Sequence, residues 1–164
     1  MTPEIRQKAF EKGIDVIMLQ EPYHQNIKIT GFGTNTKVAY KKDNEPYTAI
    51  VVLDSSLSTV QITDICNSHF VVIEVNKSGQ QIYYMVGGYC RRKDEIEKHL
   101  EALNEILVIL EGKKVIIGLH SNACSPLWGP QRTDNKGQKL EASKIEDFIT
   151  VRGFYHRASP SSNE

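Results

Sequence analysis

Residues 115–129 read VIIGLHSNACSPLWG and contain the sharpest change from apolar to small and polar side chains in the chain. A β-branched apolar run at 115–117 stops at Gly118, and small or polar side chains and the single tryptophan follow. The apolar run predicts a buried strand. Polar residues that come directly after a buried strand are a common place for chemistry in layered folds. His120 and Asn122 are therefore candidate functional residues.

The composition predicts one soluble globular domain spanning residues 1–164. Hydrophobic residues make up 40% of the chain and charged residues 24%. Twenty basic residues balance twenty acidic ones. Any nucleic-acid contact must then come from a local patch, because a general basic excess is absent. The chain has three scattered cysteines and no signal-peptide or membrane-helix pattern, so we expect an intracellular protein without a membrane segment.

The periodicity predicts helices near both ends of the chain and hairpin strands between them. Thr2 is the expected N-cap of a first helix that ends at Gly13. Further helices are predicted at 94–110 and 137–151. Predicted strands cover 15–20, 36–40, 48–53, 58–64, 69–76, 81–87 and 115–117. This order indicates two layered sheets with flanking helices rather than a parallel βαβ ladder.

Two other strand ends carry candidate residues. Glu21 follows the strand at 15–20 and is either a ligand for a hard cation such as Mg²⁺ or an exposed carboxylate paired with a lysine or arginine. Spacing alone favours the second alternative. Tyr89 precedes Arg91 and Arg92, and this group either holds a phosphate and the DNA backbone or forms a solvated turn before the next helix.

The SPLWG segment at 125–129 predicts a structured loop. Trp128 either packs on the core or stacks on a nucleic-acid base, and packing is the more frequent role. His120 is either an acid, base or ligand, or a satisfied structural histidine. The sequence contains no GxSxG elbow, Walker loop or GxGxxG motif, which argues against a serine hydrolase and a nucleotide-binding fold.

Taken in order, these segments resemble the exonuclease–endonuclease–phosphatase superfamily, which includes the apurinic endonucleases. LQEPY at 19–23 resembles its metal-ligand motif, and GYCRR at 88–92 resembles the strand end that holds its active-site tyrosine. GLHSNACSPLWG at 118–129 resembles the signature G-x-D-x-N-A-x-S-P-L-W-G, and TDNKG at 133–137 continues it. The forms of these motifs are those of the endonuclease domains of non-LTR retrotransposons.

The resemblance implies an α+β fold, a four-layer α/β/β/α sandwich of two mostly antiparallel sheets. It implies that Mg²⁺ or Mn²⁺ assists water in nicking the target DNA of the element. By motif, Glu21 would ligate the metal, Tyr89 would position the phosphate or nucleophile, and Asn122 would contact the scissile phosphate. The implied DNA-contacting residues are Arg91, Arg92, Ser125 and Trp128. A reverse-transcriptase domain in a parent polyprotein and a nuclear location are also implied.

The sequence departs from the family pattern at the centre of the signature. His120 stands at the catalytic Asp position, where a neutral imidazole lacks the anionic acceptor and a protonated one repels a metal. The family domain also begins with an Asn-bearing strand and ends with a Ser-Asp-His motif, and neither is found here, so we expect a domain truncated at both ends that lacks edge strands. We therefore expect absent or weakened catalysis. The alternatives are a non-catalytic DNA-binding or protein-interaction module on the same scaffold, and a decayed copy without function.

Overall fold

The computed structural model describes residues 3–33, 35–42, 44–128 and 131–143. The helices are α1 (Pro3–Glu11), α2 (Ile96–Ile109) and α3 (Asn135–Glu141). The strands are β1 (Val16–Gln20), β2 (His24–Gln25), β3 (Lys28–Ile29), β4 (Lys37–Ala39), β5 (Thr48–Val52), β6 (Ser58–Gln61), β7 (Phe70–Asn76), β8 (Tyr83–Tyr89) and β9 (Val115–His120). Short 3-10 helices lie at Thr63–Ile65 and Pro126–Trp128.

The larger strands form two sheets. The first has the order β1-β5-β4 and is antiparallel throughout. The second has the order β6-β7-β8-β9, in which β8 and β9 are parallel and the other pairs are antiparallel. The parallel pair arises because α2 connects β8 to β9, and a parallel connection needs such a crossover. The predicted α+β class with mostly antiparallel sheets is confirmed, with one βαβ unit that the sequence did not indicate.

The two faces of the second sheet have different neighbours. Gly87 of β8 lies against Ile50 of β5, and Gly118 of β9 lies against Met18 of β1, so this face packs on the first sheet. On the opposite face Phe70 contacts His99 of α2, with ring centroids 6.4 Å apart. Apolar residues of β5, β7, β8 and α2 form one buried core. The sheet–sheet–helix order is that of the expected sandwich.

Several element boundaries differ from the sequence prediction. The strand predicted at 58–64 ends at Gln61, because the chain then turns into a 3-10 helix closed by a bond from the Cys66 N–H to the Thr63 carbonyl. The strand predicted at 115–117 continues to His120, because its parallel pairing with β8 extends that far. The hairpin of β2 and β3 was not predicted. The helix predicted at 137–151 begins earlier, at Asn135, because Asp134 caps it, and it ends at Glu141 with Ala142 as its C-cap. Thr2 and the residues beyond 143 lie outside the described residues.

No helix within the described ranges combines the length and apolar character needed to cross a membrane.

Gly137 tests the packing of α3 against the chain that follows β9. An ideal Cβ at Gly137 would overlap the backbone carbonyl oxygen of Cys124, and a backbone atom cannot rotate away as a side chain can. We expect Gly137→Ala to lower the free energy of unfolding by about 2 kcal/mol or more, as measured by urea unfolding followed by circular dichroism. Gln138→Ala, at an exposed position of the same helix, is the control and should change it by less than about 0.5 kcal/mol. Equal stability of the two variants would contradict the packing described here.

Candidate functional site

Three of the residues predicted from the sequence meet at one end of the sandwich. Glu21 follows β1 directly, Tyr89 ends β8, and Asn122 lies two residues beyond β9. The Tyr89 hydroxyl interacts with the side chains of both Glu21 and Asn122. The structure therefore brings together a carboxylate, a phenol and an amide that are far apart in sequence.

Backbone pairing holds the ends of β8 and β9 together at this site. Tyr89 and His120 are direct partners in the parallel register, and the Cys90 N–H donates to the His120 carbonyl at 2.9 Å. The Asn122 side chain then donates from Nδ2 to the Cys90 carbonyl at 2.8 Å. This bond fixes the orientation of the Asn122 amide and leaves its second Nδ2 hydrogen for another acceptor.

Two site residues have left-handed backbone conformations. Glu21 has φ 49° and Asn122 has φ 51°. Asparagine adopts this region readily, whereas glutamate rarely does. At Glu21 the conformation follows from the end of β1, where the Glu21 N–H still donates to the Tyr47 carbonyl at 2.9 Å and the buried Pro22 follows. The turn places the Glu21 carboxylate next to Tyr89 rather than within the pleat of the sheet.

Tyr89 is a proton donor in this environment. Burial raises the pKa of Tyr89 above its ordinary value, and the hydrogen bond with Glu21 raises it further. The interaction with Asn122 lowers the pKa but does not reverse the direction of the shift. The phenol is therefore protonated at neutral pH, and its one O–H donates to the Glu21 carboxylate.

His120 lies beside the tyrosine. The His120 and Tyr89 rings pack edge to face with centroids 5.3 Å apart. The imidazole is half-buried. Its ring contact with Tyr89 places it in the same cluster as Glu21, Tyr89 and Asn122. The position at which the sequence resemblance implies an aspartate thus carries a ring that packs on the phenol.

The metal-binding capacity of the cluster depends on one carboxylate. Glu21 is exposed at the end of β1. Mg²⁺ commonly keeps several waters and is bound by one or two carboxylates together with substrate phosphates. Glu21 therefore fits a weakly held, hydrated Mg²⁺ or Mn²⁺ whose coordination is completed by a phosphate.

The two candidate DNA-contacting arginines differ in how accessible their side chains are. Arg91 donates from Nε to Asp94 at 2.7 Å and from a terminal nitrogen to the Tyr47 hydroxyl at 2.8 Å, and its guanidinium lies 4.6 Å from the centre of the Tyr47 ring. The hydrogen bond from Arg91 holds the pKa of Asp94 below its ordinary value. Arg92 is exposed, and its backbone carbonyl accepts from the Lys136 ammonium at 2.9 Å. Arg91 is thus held within the protein, whereas Arg92 is accessible.

Ser125 and Trp128 support the loop after β9. Ser125 is 0% exposed, and its hydroxyl oxygen accepts from the Leu127 N–H at 3.0 Å. The buried hydroxyl therefore supports the loop, and the DNA contact implied for Ser125 stays a prediction. The Trp128 indole donates to the Ala123 carbonyl at 2.9 Å and packs against a small core cluster that includes Leu140. This geometry favours the packing alternative for Trp128.

The TDNKG segment has a structural role that its sequence did not reveal. Asp134 is the N-cap of α3, and its Oδ1 accepts from the Gly137 N–H at 2.7 Å and from the Cys124 N–H at 3.1 Å. Burial acts to raise the pKa of Asp134, but these backbone hydrogen bonds hold it below the ordinary value. Asp134 thereby joins α3 to the loop that carries Asn122.

A second polar cluster lies behind Tyr89 and was missed by sequence reasoning. Within the described ranges, one group of three His, Cys, Asp or Glu side chains has ligand atoms close enough to share a metal ion, namely His69, Asp94 and His99. No motif marks this group, because His69 directly precedes β7, whereas Asp94 lies just before α2 and His99 lies in the first turn of α2. The His69 ring contacts the backbone of Tyr89, so the two clusters are adjacent.

The fold is similar to that of a known endonuclease domain. No protein-family model matches the chain, and no curated protein sequence is significantly similar to it. A solved structure, the endonuclease domain of TRAS1, a telomere-specific non-LTR retrotransposon, matches with a TM-score of 0.77 and 22% sequence identity. The match covers 90% of this chain and 64% of that chain. The non-LTR retrotransposon endonuclease-like fold expected from the motifs is therefore confirmed.

The ionisation of Tyr89 tests the contacts of the site. Because the folded-state pKa of Tyr89 is raised, the stability that the protonated phenol contributes is present below its ordinary pKa of 10.0 and is lost as the pH rises above it. We expect Glu21→Gln to lower the pKa of Tyr89 and Asn122→Ala to raise it. The measurement is the ultraviolet absorbance titration of each protein minus that of the same protein carrying Tyr89→Phe. Identical difference titrations would contradict the three-way contact.

Proposed function

We propose that this chain is a metal-dependent DNA phosphodiesterase domain of the non-LTR retrotransposon type, which nicks a DNA strand and whose hydrolysis is weakened by His120. The observation that carries the proposal is the convergence of Glu21, Tyr89 and Asn122 at neighbouring strand ends. A fold similar to that of a retrotransposon endonuclease domain supports it. By the same proposal, the domain acts in the nucleus beside a reverse-transcriptase domain of a parent polyprotein.

Each residue of the cluster has a distinct part in phosphodiester cleavage. Glu21 would hold Mg²⁺ or Mn²⁺, which offsets the charge that develops on the phosphate. Tyr89, protonated at neutral pH, would turn its O–H from Glu21 to a phosphate oxygen or to the attacking water once Glu21 holds the metal. Asn122, held by its bond to the Cys90 carbonyl, would turn its second Nδ2 hydrogen from the Tyr89 oxygen to the same phosphate.

His120 limits the reaction because it cannot reproduce the function of a carboxylate. An aspartate accepts a proton from water and also favours a nearby cation, whereas a neutral imidazole does only the first and an imidazolium does neither. His120 also packs edge to face on Tyr89, with ring centroids 5.3 Å apart, rather than leaving an anionic pocket there. We therefore expect slow hydrolysis with the other residues in place.

A nicking assay on supercoiled plasmid in Mg²⁺ tests the proposal. We expect slow nicking by the unmodified chain and at least about a tenfold faster rate for His120→Asp, because a positioned general base commonly contributes about 100-fold or more. Glu21→Gln should abolish the gain when combined with His120→Asp. Tyr89→Phe, which keeps the ring but removes the donor, should slow the same enzyme at least about tenfold.

The double variant that combines Glu21→Gln with His120→Asp is the control for a contaminating nuclease. Nicking by the His120→Asp protein that persists after Glu21→Gln does not come from the proposed site. Equal rates for the unmodified chain and for His120→Asp would contradict the role given to His120. DNA binding without any nicking, in every variant, would favour the non-catalytic DNA-binding module instead.

DNA binding itself is expected to depend on the accessible arginine next to the site. Arg92→Ala should weaken binding to duplex DNA severalfold and reduce the slope of log affinity against log salt by about 1, because one phosphate contact is lost. Lys113→Ala is the matched control, since Lys113 is exposed and precedes β9 at the end of the strand remote from His120. Fluorescence anisotropy at several salt concentrations measures both slopes. An equal loss in the two variants would indicate non-specific charge attraction rather than binding at this end of the fold.

A further inference from the structure

His69, which lies next to Tyr89, and His99 both direct a ring nitrogen toward the carboxylate of Asp94. His69 Nε2 lies 3.9 Å from Asp94 Oδ2, and His99 Nε2 lies 3.3 Å from the same oxygen. The ligand atoms of the three residues all lie within 4.8 Å of one another. Tetrahedral coordination with metal–ligand bonds of about 2.0 Å separates ligand atoms by about 3.3 Å, so small side-chain rotations close the group on one ion.

The tautomer of His69 is set by its outer contact. His69 Nδ1 lies 3.0 Å from the Tyr89 carbonyl oxygen. A carbonyl only accepts hydrogen bonds, so Nδ1 carries the proton and Nε2 of the neutral ring presents a lone pair toward Asp94. Metal-bound histidines commonly donate their other ring N–H to a backbone carbonyl in this way, which fixes the ring for coordination.

His99 supplies an unpartnered atom to the same point. His99 is 5% exposed. Its Nε2 atom is buried and makes no hydrogen bond within the described residues, although it lies 3.3 Å from Asp94 Oδ2. An unpaired buried polar atom is destabilising unless a ligand satisfies it. A cation shared with the Asp94 carboxylate would satisfy it.

The position is accessible and already has an oriented carboxylate. A cavity of about 500 Å³ opens beside the cluster and is lined in part by Asn67, His69, Asp94 and His99, so a water has room to take a fourth coordination position. Arg91 donates to Asp94 Oδ2 at 2.7 Å, which orients the carboxylate but places a positive charge nearby. Affinity should therefore be modest, in the micromolar range.

We propose that His69, Asp94 and His99 form a second metal site, distinct from Glu21, for a borderline divalent transition metal such as Zn²⁺. Two imidazoles and one carboxylate are a donor set that suits Zn²⁺ far better than Mg²⁺. Because His69 is bonded to the backbone of Tyr89, the bound metal would hold that strand end in place. The proposal does not depend on the proposed nuclease function.

Zn²⁺ binding to the chelator-stripped full chain tests this site. Isothermal titration calorimetry in excess Mg²⁺ should give one Zn²⁺ per chain, and the melting temperature should rise by about 4 °C or more near saturation. Co²⁺ in place of Zn²⁺ should give visible absorption bands without a thiolate charge-transfer band. A thiolate band would assign the ion to one of the three free cysteines and overturn the proposal.

Variants separate this site from other histidines and from Glu21. His69→Gln and Asp94→Asn should each weaken Zn²⁺ binding at least about tenfold. His24→Gln is the matched control, because His24 is a partly exposed histidine paired with Glu45 at 3.5 Å and is not one of the three grouped ligands, and it should leave the affinity unchanged. Glu21→Gln should also leave Zn²⁺ affinity unchanged.

The Zn²⁺ affinity of His99→Gln is interpreted only if circular dichroism shows that the variant is folded, because His99 is buried. If it does not fold, NMR shifts of the His69 and His99 ring protons on adding Zn²⁺ to the unmodified chain decide the assignment. Absence of Zn²⁺ binding by the unmodified chain at millimolar concentration would overturn the proposal. An unchanged affinity in His69→Gln, or ring shifts confined to other histidines, would also overturn it.

Discussion

The parallel pairing of β8 with β9 is the constraint on which the site depends. Parallel strands end at the same edge of a sheet, so the register that sets Tyr89 opposite His120 also brings the chain after each strand to one place. The close approach of Gly118 to Met18 lets β1 run beside this edge, and Glu21 then follows β1 into the same space. If β9 slipped by one residue, His120 would move to the other face of the sheet and the cluster would not form.

The loop after β9 shows how polar residues in a signature segment can serve the scaffold. Asp134 caps α3 and also accepts from the Cys124 N–H, and Ser125 and Trp128 satisfy backbone groups within the same loop. Each of these bonds is partly or fully buried, where an unmade hydrogen bond is more expensive than at the surface. Their combined effect is to support the loop that follows Asn122, so the segment stiffens the backbone beside the candidate site.

Local pattern was sufficient for some parts of this fold and insufficient for others. The helix at Ile96–Ile109 and the strand at Phe70–Asn76 were predictable because an apolar repeat or run marks each of them. That Glu21 and Tyr89 share one site was implied by the resemblance of their motifs, whereas local spacing alone favoured an exposed carboxylate and a solvated turn. The cluster of His69 and His99 was not predictable, because it depends on how α2 crosses the sheet and no spacing in the sequence encodes that contact. Nor does sequence alone reveal that a serine in a polar loop is buried.

At Glu21 the left-handed backbone favours glycine, whereas the proposed chemistry needs a carboxylate side chain. Glycine at this position would relieve a conformational penalty of about 1 kcal/mol that a side chain with a Cβ carries in this region, and it would remove the carboxylate next to Tyr89. Change toward greater stability and retention of the proposed metal ligand would therefore proceed in opposite directions. The identity of residue 21 in sequences of this kind thus becomes a sensitive indicator of whether the proposed cleavage, and not merely the fold, has been under selection.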